Sequence, residues 1–437
     1  MEQLRIQGGA KGLQATLTVP GDKSISHRAI ILGALADGVT EIPGCLRSQD
    51  CYETLEAARA LGVEVEGWED EPLRIYGKGL HGLREAGEVL DCGNSGTTMR
   101  LLTGVLAGQP FLSLLTGDDS LRRRPMDRII LPLRQMGASI WGRARDTLPP
   151  LAVRGGGLRG ITYESPVASA QVKSAILLAG LFAEGPTTII EPTPSRDHTE
   201  RMLEALGQSL QRREREVTVA PTGTLRAVRI PVPGDFSSAA FFVVAGLILP
   251  DSEVTLEEVG MNPTRMGLLE VVQAMGGDVE VLHGKESAGE PRATVRVRSS
   301  HLRGVSIGGD LIPRLIDEIP ILAVAAACAE GKTTIRDAGE LRVKESDRIR
   351  AIASELNGMK IATEELQDGL MIHGGRGLRA ARCNSYGDHR MAMALTIAGL
   401  KASGETTVSD TACIRTSFPG FIEKLQALFP GAVKRDE

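Results

Sequence analysis

Six short clusters of small, polar and basic residues punctuate the sequence: GDKSISHR (21–28), GNSGTTMR (93–100), SPVASAQVKS (165–174), GDFSS (234–238), IPRLIDE (312–318) and YGDHR (386–390). Each stands before a long apolar stretch and is read as a helix N-terminus, where unpaired N–H groups and the positive end of the peptide dipole attract anions. Ser, Asp and Asn are also ordinary caps, so one such cluster says little. Lys23 with Arg28, Arg100, Lys173 and Arg390 bring bases to the first three clusters and the last. A cation there opposes the dipole, and a bound anion is the simplest compensation. Arg122, Arg123 and Arg124 crowd three guanidinium groups, which repel one another unless solvated or joined by an anion. In RVKESDR (342–348), Lys344 and Arg348 stand four apart, as on one helix face, with Glu345 beside Lys344.

Bases alone hold anions but move no protons, so carboxylates are needed for catalysis. Asp317, at the mouth of an apolar helix, and Glu345 are the two candidates. The six cysteines (45, 51, 92, 328, 383, 413) show no C-x-x-C pair and no His at ligand spacing, and read as buried small hydrophobes rather than metal ligands.

Several function classes fall to composition. A formal charge of −5 leaves no broad basic surface for nucleic acid or an anionic membrane. The longest apolar runs, 239–250 and 319–329, fall short of the ~18–20 residues that cross a bilayer. The first residues lack the pattern of a signal peptide, so the chain is expected to be cytoplasmic. With 42% hydrophobic and only 3% aromatic residues, its cores should be aliphatic.

The elements that position these residues repeat. An apolar helical run, a small-residue turn and a β-branched strand recur six times, with turns at Gly38, Gly108, Gly185, Asp251, Gly331 and Gly404. A second helix in each period closes on a hydrophobic residue and Gly, at Gly62, Gly137, Gly207 and Gly276, and approximately at Gly358 and Gly431. Half-exposed alternation then predicts a hairpin, so the unit is roughly βαβαββ and the fold is of the α/β (α+β) class. Val19-Pro20-Gly21-Asp22 is echoed by Val232-Pro233-Gly234-Asp235 with three repeats between. This predicts one domain over 21–233 and a second over 1–20 plus 234–437, with hinges near 19–24 and 232–237.

PGDKSISHR, GNSGTTMR, DDSLRRRP, SAQVKSA, SRDHTE, LIDEIPILAVAAA, LRVKESDR, YGDHRMAMA and TSFPGF together resemble the 5-enolpyruvylshikimate-3-phosphate synthase family, in order and over nearly the whole chain. The resemblance implies two domains, each of three units about a pseudo-threefold axis, an inside-out barrel. It implies transfer of the enolpyruvyl group of phosphoenolpyruvate to the 5-hydroxyl of shikimate 3-phosphate, with no metal or organic cofactor. It places Lys23, Ser24, Arg28, Ser169, Gln171 and Arg196, with Ser195, Asp317 and Lys344, at shikimate 3-phosphate. Lys23, Gly96, Arg124, Gln171, Arg348 and Arg390 fall at phosphoenolpyruvate. Catalysis would rest on Lys23, on Asp317 for the hydroxyl proton and on Glu345 for the methylene proton. The expected partners are the two small substrates, with no nucleic acid or membrane, and the chain is expected to be a monomer.

Thr416 stands where the best-known branch has Lys before Phe-Pro, and Arg415 is the neighbouring base. Adjacent residues of an extended segment would face opposite ways. Ala170, Leu101 and Glu340 are further departures, which look more like the bacterial class II branch, whose members often tolerate the inhibitor glyphosate. The alternative enzyme of similar fold is UDP-N-acetylglucosamine enolpyruvyl transferase, which carries a reactive Cys on a donor-site loop. Here only Cys92 adjoins a comparable turn, at Gly93–Gly96, and it has no Arg cluster beside it. A non-catalytic anion-binding scaffold is the other alternative, and it leaves Asp317 and Glu345 without a role.

Overall fold

A computed structural model describes residues 2–221 and 223–436; Met1, Thr222 and Glu437, which fall within the expected domain ranges, lie outside the described residues. The chain divides into two units, one formed by residues 1–20, 234–285 and 291–437, the other by 21–233 together with 286–290. The short segment 286–290 is the tip of a hairpin between the Asp278–Ser287 and Glu290–Arg298 strands, and Glu290 sits 2.7 Å from the buried His198 ring.

In the 21–233 unit the inner helices are Lys23–Leu35, Gly96–Ala107 and Ala170–Gly180. In the other they are Phe236–Ile248, Ile319–Cys328 and His389–Lys401. Each packs against its two fellows and a sheet, so nearly its whole circumference is buried rather than one stripe. Five of the six begin on a side-chain cap, from Asp22, Ser95, Ser169, Asp235 and Asp388. The sixth starts with Pro320 in its first turn, where the missing N–H costs nothing.

Five of the six repeats have a four-stranded sheet with a parallel pairing at one edge. In the second, Leu90–Asp91 runs parallel to Leu112–Thr116, which pairs antiparallel with Leu148–Arg154, and that in turn with Ser139–Gly142. The βαβαββ reading holds, with borrowed strands at the ends. The first repeat has three strands of its own, and residues 225–230 lie along its open edge, through a parallel bridge at Asp37 and Arg226. Gln14–Thr18 supplies the parallel strand of the fourth repeat, and Gln3–Gln7 the inner strand of the sixth. That is why residues 1–20 lie in the unit formed mostly by the second half of the chain.

Gly108 ends its helix as expected, without a left-handed conformation (φ −85), and is required because Phe182 packs where its Cβ would be, 2.2 Å away. The structure corrects two local readings. After the fifth repeat's second helix, Lys360 and not Gly358 takes the left-handed conformation, at φ 67, since that helix runs through Gly358 itself. Lys344 and Arg348 do not share a helix face: Lys344 is extended after a 3-10 turn, and the helix begins at Arg348. The cores are largely aliphatic, and their main aromatic group is Phe241, Phe242, Phe418 and Phe421, with ring centroids 5.3–6.1 Å apart.

Candidate active site

In the 21–233 unit, Asp22 caps its helix by accepting the Ile25 N–H at 2.9 Å, and Lys23 therefore opens the first turn. Lys23 Nζ lies 2.7 Å from the buried Asp50 carboxylate. One turn on, Arg28 is buried and held entirely by neutral acceptors. It donates from Nε to Thr199 Oγ1 at 2.7 Å, from Nη2 to Ser174 Oγ at 2.8 Å and from Nη1 to the Ser24 carbonyl at 2.9 Å. Among the described residues no carboxylate forms an ion pair with it. Burial draws its pKa down to about 10, against the pull of Glu200 and Asp22.

A second group gathers at the Ser95 cap. Gln171 donates to Thr97 Oγ1 at 2.9 Å and accepts from Arg100, which also reaches the Pro125 carbonyl at 3.1 Å. Arg124 donates to Asn94 Oδ1 at 2.7 Å and Ser120 Oγ at 3.1 Å. Gly96 leaves the space between them: a Cβ there would lie 2.9 Å from Arg100 Nη1 and 3.4 Å from Arg124 Nη1. Ser169 caps its helix on Val172 N–H. Ser195 is buried beside Arg196, whose charge is felt at Arg28. Lys173, read from sequence as an anion-seeking base, is corrected by its surroundings. Its ammonium is buried between Glu191 and Glu200, 2.8 Å from each, so its compensation is internal.

In the other unit, Arg348 has no exposed side-chain surface and binds three carboxylates: Asp388 at 2.7 Å, Glu345 at 2.7 Å and Asp317 at 3.3 Å. Burial alone would lower its pKa, but Asp388 and Glu345 outweigh that and raise it. Asp317 also faces Lys344 at 3.5 Å and Arg390 at 3.9 Å, and Arg390 donates to the Asp317 carbonyl at 3.2 Å. Behind Arg390, Glu318 Oε1 lies 3.8 Å from it, accepts from Ser237 and stands 3.8 Å from the buried Arg265. Here the bases do not stand uncompensated as their sequence pattern suggested. Arg348 is compensated by the buried Asp388 and Arg390 by the buried Glu318, so each charge has an internal partner.

The sequence reading missed Asp50, Thr199, Asp388, Glu318 and Arg265. Asp388 lies inside YGDHR at a cap position, Glu318 closes IPRLIDE beside Asp317 and Thr199 falls in SRDHTE, so these three could have been flagged; Asp50 and Arg265 lie in none of the motifs singled out. Arg415 donates to Glu2 at 3.0 Å from a 3-10 turn rather than an extended segment, and Thr416 bonds the Cys413 carbonyl. Cys92 is buried, and its thiol pKa is pushed well up by that burial, with Asp91 and Glu53 adding to it, the reverse of a reactive donor-site thiol. Among the described residues no three His, Cys, Asp or Glu side chains are grouped to hold a metal ion, and no helix is long and apolar enough to cross a membrane.

The family model for EPSP synthase (3-phosphoshikimate 1-carboxyvinyltransferase) matches residues 7–425. A 3-phosphoshikimate 1-carboxyvinyltransferase of Desulforudis audaxviator is 57% identical over 96% of this chain and 98% of its own. One of Desulforamulus reducens is 54% identical over 95% and 97%. The solved EPSP synthase of Acinetobacter baumannii superposes with TM-score 0.89 at 44% identity over all of both chains. The enolpyruvyl transferase NikO of Streptomyces tendae, at 19% identity and TM-score 0.80 over 100% of this chain and 99% of its own, shares the fold. The chain belongs to the EPSP synthase family, the 3-phosphoshikimate 1-carboxyvinyltransferases.

Proposed function

We propose that the clusters just described divide the work of the family's reaction. Lys23, Ser24, Arg28, Ser169, Gln171, Ser195 and Arg196 hold shikimate 3-phosphate; Gly96, Arg124, Arg348 and Arg390, with Lys23 and Gln171 shared, hold phosphoenolpyruvate; Lys344 serves both. The reaction transfers the enolpyruvyl group of phosphoenolpyruvate to the 5-hydroxyl of shikimate 3-phosphate and releases phosphate, in the shikimate pathway. The observation that carries the assignment is Arg28. A buried guanidinium held by two hydroxyls and a carbonyl, without a carboxylate, is a cation prepared for an anionic group.

As the hydroxyl oxygen attacks the enol carbon it loses a proton, and the methylene carbon gains one, which gives a tetrahedral intermediate. Loss of phosphate and of one methyl proton then restores the double bond. Asp317 takes the hydroxyl proton, and Glu345 delivers and later recovers the other. Glu345 is engaged by Arg348 at 2.7 Å, so an incoming phosphoenolpyruvate anion that competes for that guanidinium frees Glu345 to act. The proposal takes the enzyme as a cytoplasmic monomer that needs no metal or organic cofactor.

Phosphate release with both substrates tests the reading. Asp317→Asn should lower kcat by about 10²–10⁴-fold while leaving each KM within a few-fold. Wild-type kcat in that variant defeats the role of Asp317, and turnover of UDP-N-acetylglucosamine in place of shikimate 3-phosphate defeats the substrate assignment.

A further inference from the structure

In the 21–233 unit a buried charged trio lies beside Arg28 and takes no part in the reaction as assigned. Lys173 Nζ is 2.8 Å from Glu191 Oε2 and 2.8 Å from Glu200 Oε1, and the three side chains are at most 3% exposed. Stability alone does not favour such a trio over an apolar one, because desolvating the charges costs about what their attraction returns. What the trio holds is backbone. Lys173 donates to the Ser195 carbonyl at 3.2 Å, and Glu191 accepts the Ser195 N–H at 3.3 Å. Both polar backbone groups of Ser195 are therefore tied to it. The segment 192–197, PTPSRD, has no helix or strand of its own, and its two prolines offer no N–H. Ser195 is 5% exposed and its Oγ has no hydrogen-bond partner. The chain neighbours of Lys173 and Glu200 are Ser174 and Thr199, the two hydroxyls that hold Arg28.

We propose that Lys173, Glu191 and Glu200 are positioning residues that fix Ser195, with its unpaired hydroxyl, and the adjoining Arg196 relative to Arg28, so that the 3-phosphate of shikimate 3-phosphate meets its ligands already placed. This rests on the reading that Arg28 and the Ser195–Arg196 segment bind that substrate. A segment ordered in advance spares the binding step the cost of ordering it.

Glu191→Met tests the role, because it removes the acceptor of the Ser195 N–H and leaves Lys173 and Glu200 as a neutral pair. The KM for shikimate 3-phosphate should rise about tenfold, with kcat and the KM for phosphoenolpyruvate within about twofold. Glu191→Gln, which keeps an oxygen in place, should recover most of the loss. A purely structural role would lower the melting temperature without that split or that rescue, and such a result overturns the proposal. Arg28→Gln runs alongside: if it raises the KM for shikimate 3-phosphate and Glu191→Met does not, the positioning role is wrong. If neither does, the substrate reading beneath it is wrong. Should Glu191→Met not fold, hydrogen exchange on the unaltered chain decides. The Ser195 amide should exchange slowly without ligand and no more slowly with shikimate 3-phosphate; fast exchange that slows only on ligand addition overturns the proposal.

Discussion

Arg348 and Asp388, 40 residues apart in sequence and without side-chain exposure, are joined by an Nε–H···Oδ2 hydrogen bond of 2.7 Å. Asp388 also caps the His389–Lys401 helix by accepting the Arg390 N–H at 2.9 Å, so one carboxylate sets both the helix start and the guanidinium. Asp388→Asn keeps the cap and removes the charge. Because Glu345 and Asp317 still face Arg348, the loss should fall at the lower end for a broken buried pair, about 3 kcal/mol in urea unfolding. Arg348→Met with Asp388→Asn should recover part of it in a double-mutant cycle.

Gly104 lies where the Gly96–Ala107 and Ala170–Gly180 helices touch, and a Cβ there would stand 2.3 Å from the Ala175 carbonyl oxygen. Backbone cannot swing aside as a side chain can. Although Ala is the better helix former, Gly104→Ala should lower stability by about 2–3 kcal/mol, read as a fall in the urea midpoint.

His27 is buried against Thr54, 2.6 Å from its hydroxyl, and its pKa is held well below the ordinary value by burial first and by the charges of Lys23 and Arg28 next. In the unfolded chain it takes up a proton near pH 6.5, which the folded chain refuses. The unfolded state thus binds more protons in that range, and stability must fall as pH drops below about 6.5, at up to about 1.4 kcal/mol per pH unit from this group. His27→Asn should flatten the melting-temperature curve between pH 6.5 and 5 relative to the parent, whatever its effect at pH 8.

Burial pushes Cys45, Cys328, Cys383 and Cys413 up to about 12 and Cys51 and Cys92 well above the ordinary thiol value. Native protein at pH 8 should react slowly with an aromatic disulfide reagent and keep its activity, and all six thiols should appear on denaturation.

The repeat was legible because its marks are local: an apolar run, a turn residue with positive φ at Gly38, Gly185, Gly331 and Gly404, and a side-chain cap at five of the six inner helix starts. Asp251 took the same conformation without being Gly. The clusters before the six helices were legible for the same reason, since a helix N-terminus is written in adjacent residues. What holds the charges was not. Lys23 finds Asp50 across 27 residues, and Arg348 finds Asp388 across 40, through packing that no spacing rule encodes. Hence Lys173 looked like Arg28 in sequence, although one is closed off by two glutamates and the other by none.

That contrast makes Arg28 the sharpest test of the anion site. Its hydrogen bonds to Thr199, Ser174 and Ser24 fix the plane of the guanidinium while leaving its charge without a counter-ion. Arg28→Lys keeps the charge but cannot make three bonds in one plane, so the KM for shikimate 3-phosphate should rise about tenfold. Arg28→Gln loses the charge too and should raise it about 100-fold or more, with the KM for phosphoenolpyruvate little changed. Since burial draws the Arg28 pKa to about 10, only the protonated form offers the anion a partner. The KM for shikimate 3-phosphate in the parent should be level from about pH 7 to 9 and climb as pH passes about 10. Arg28→Gln should lack that climb, and a climb of the same size in both proteins would assign it to another group.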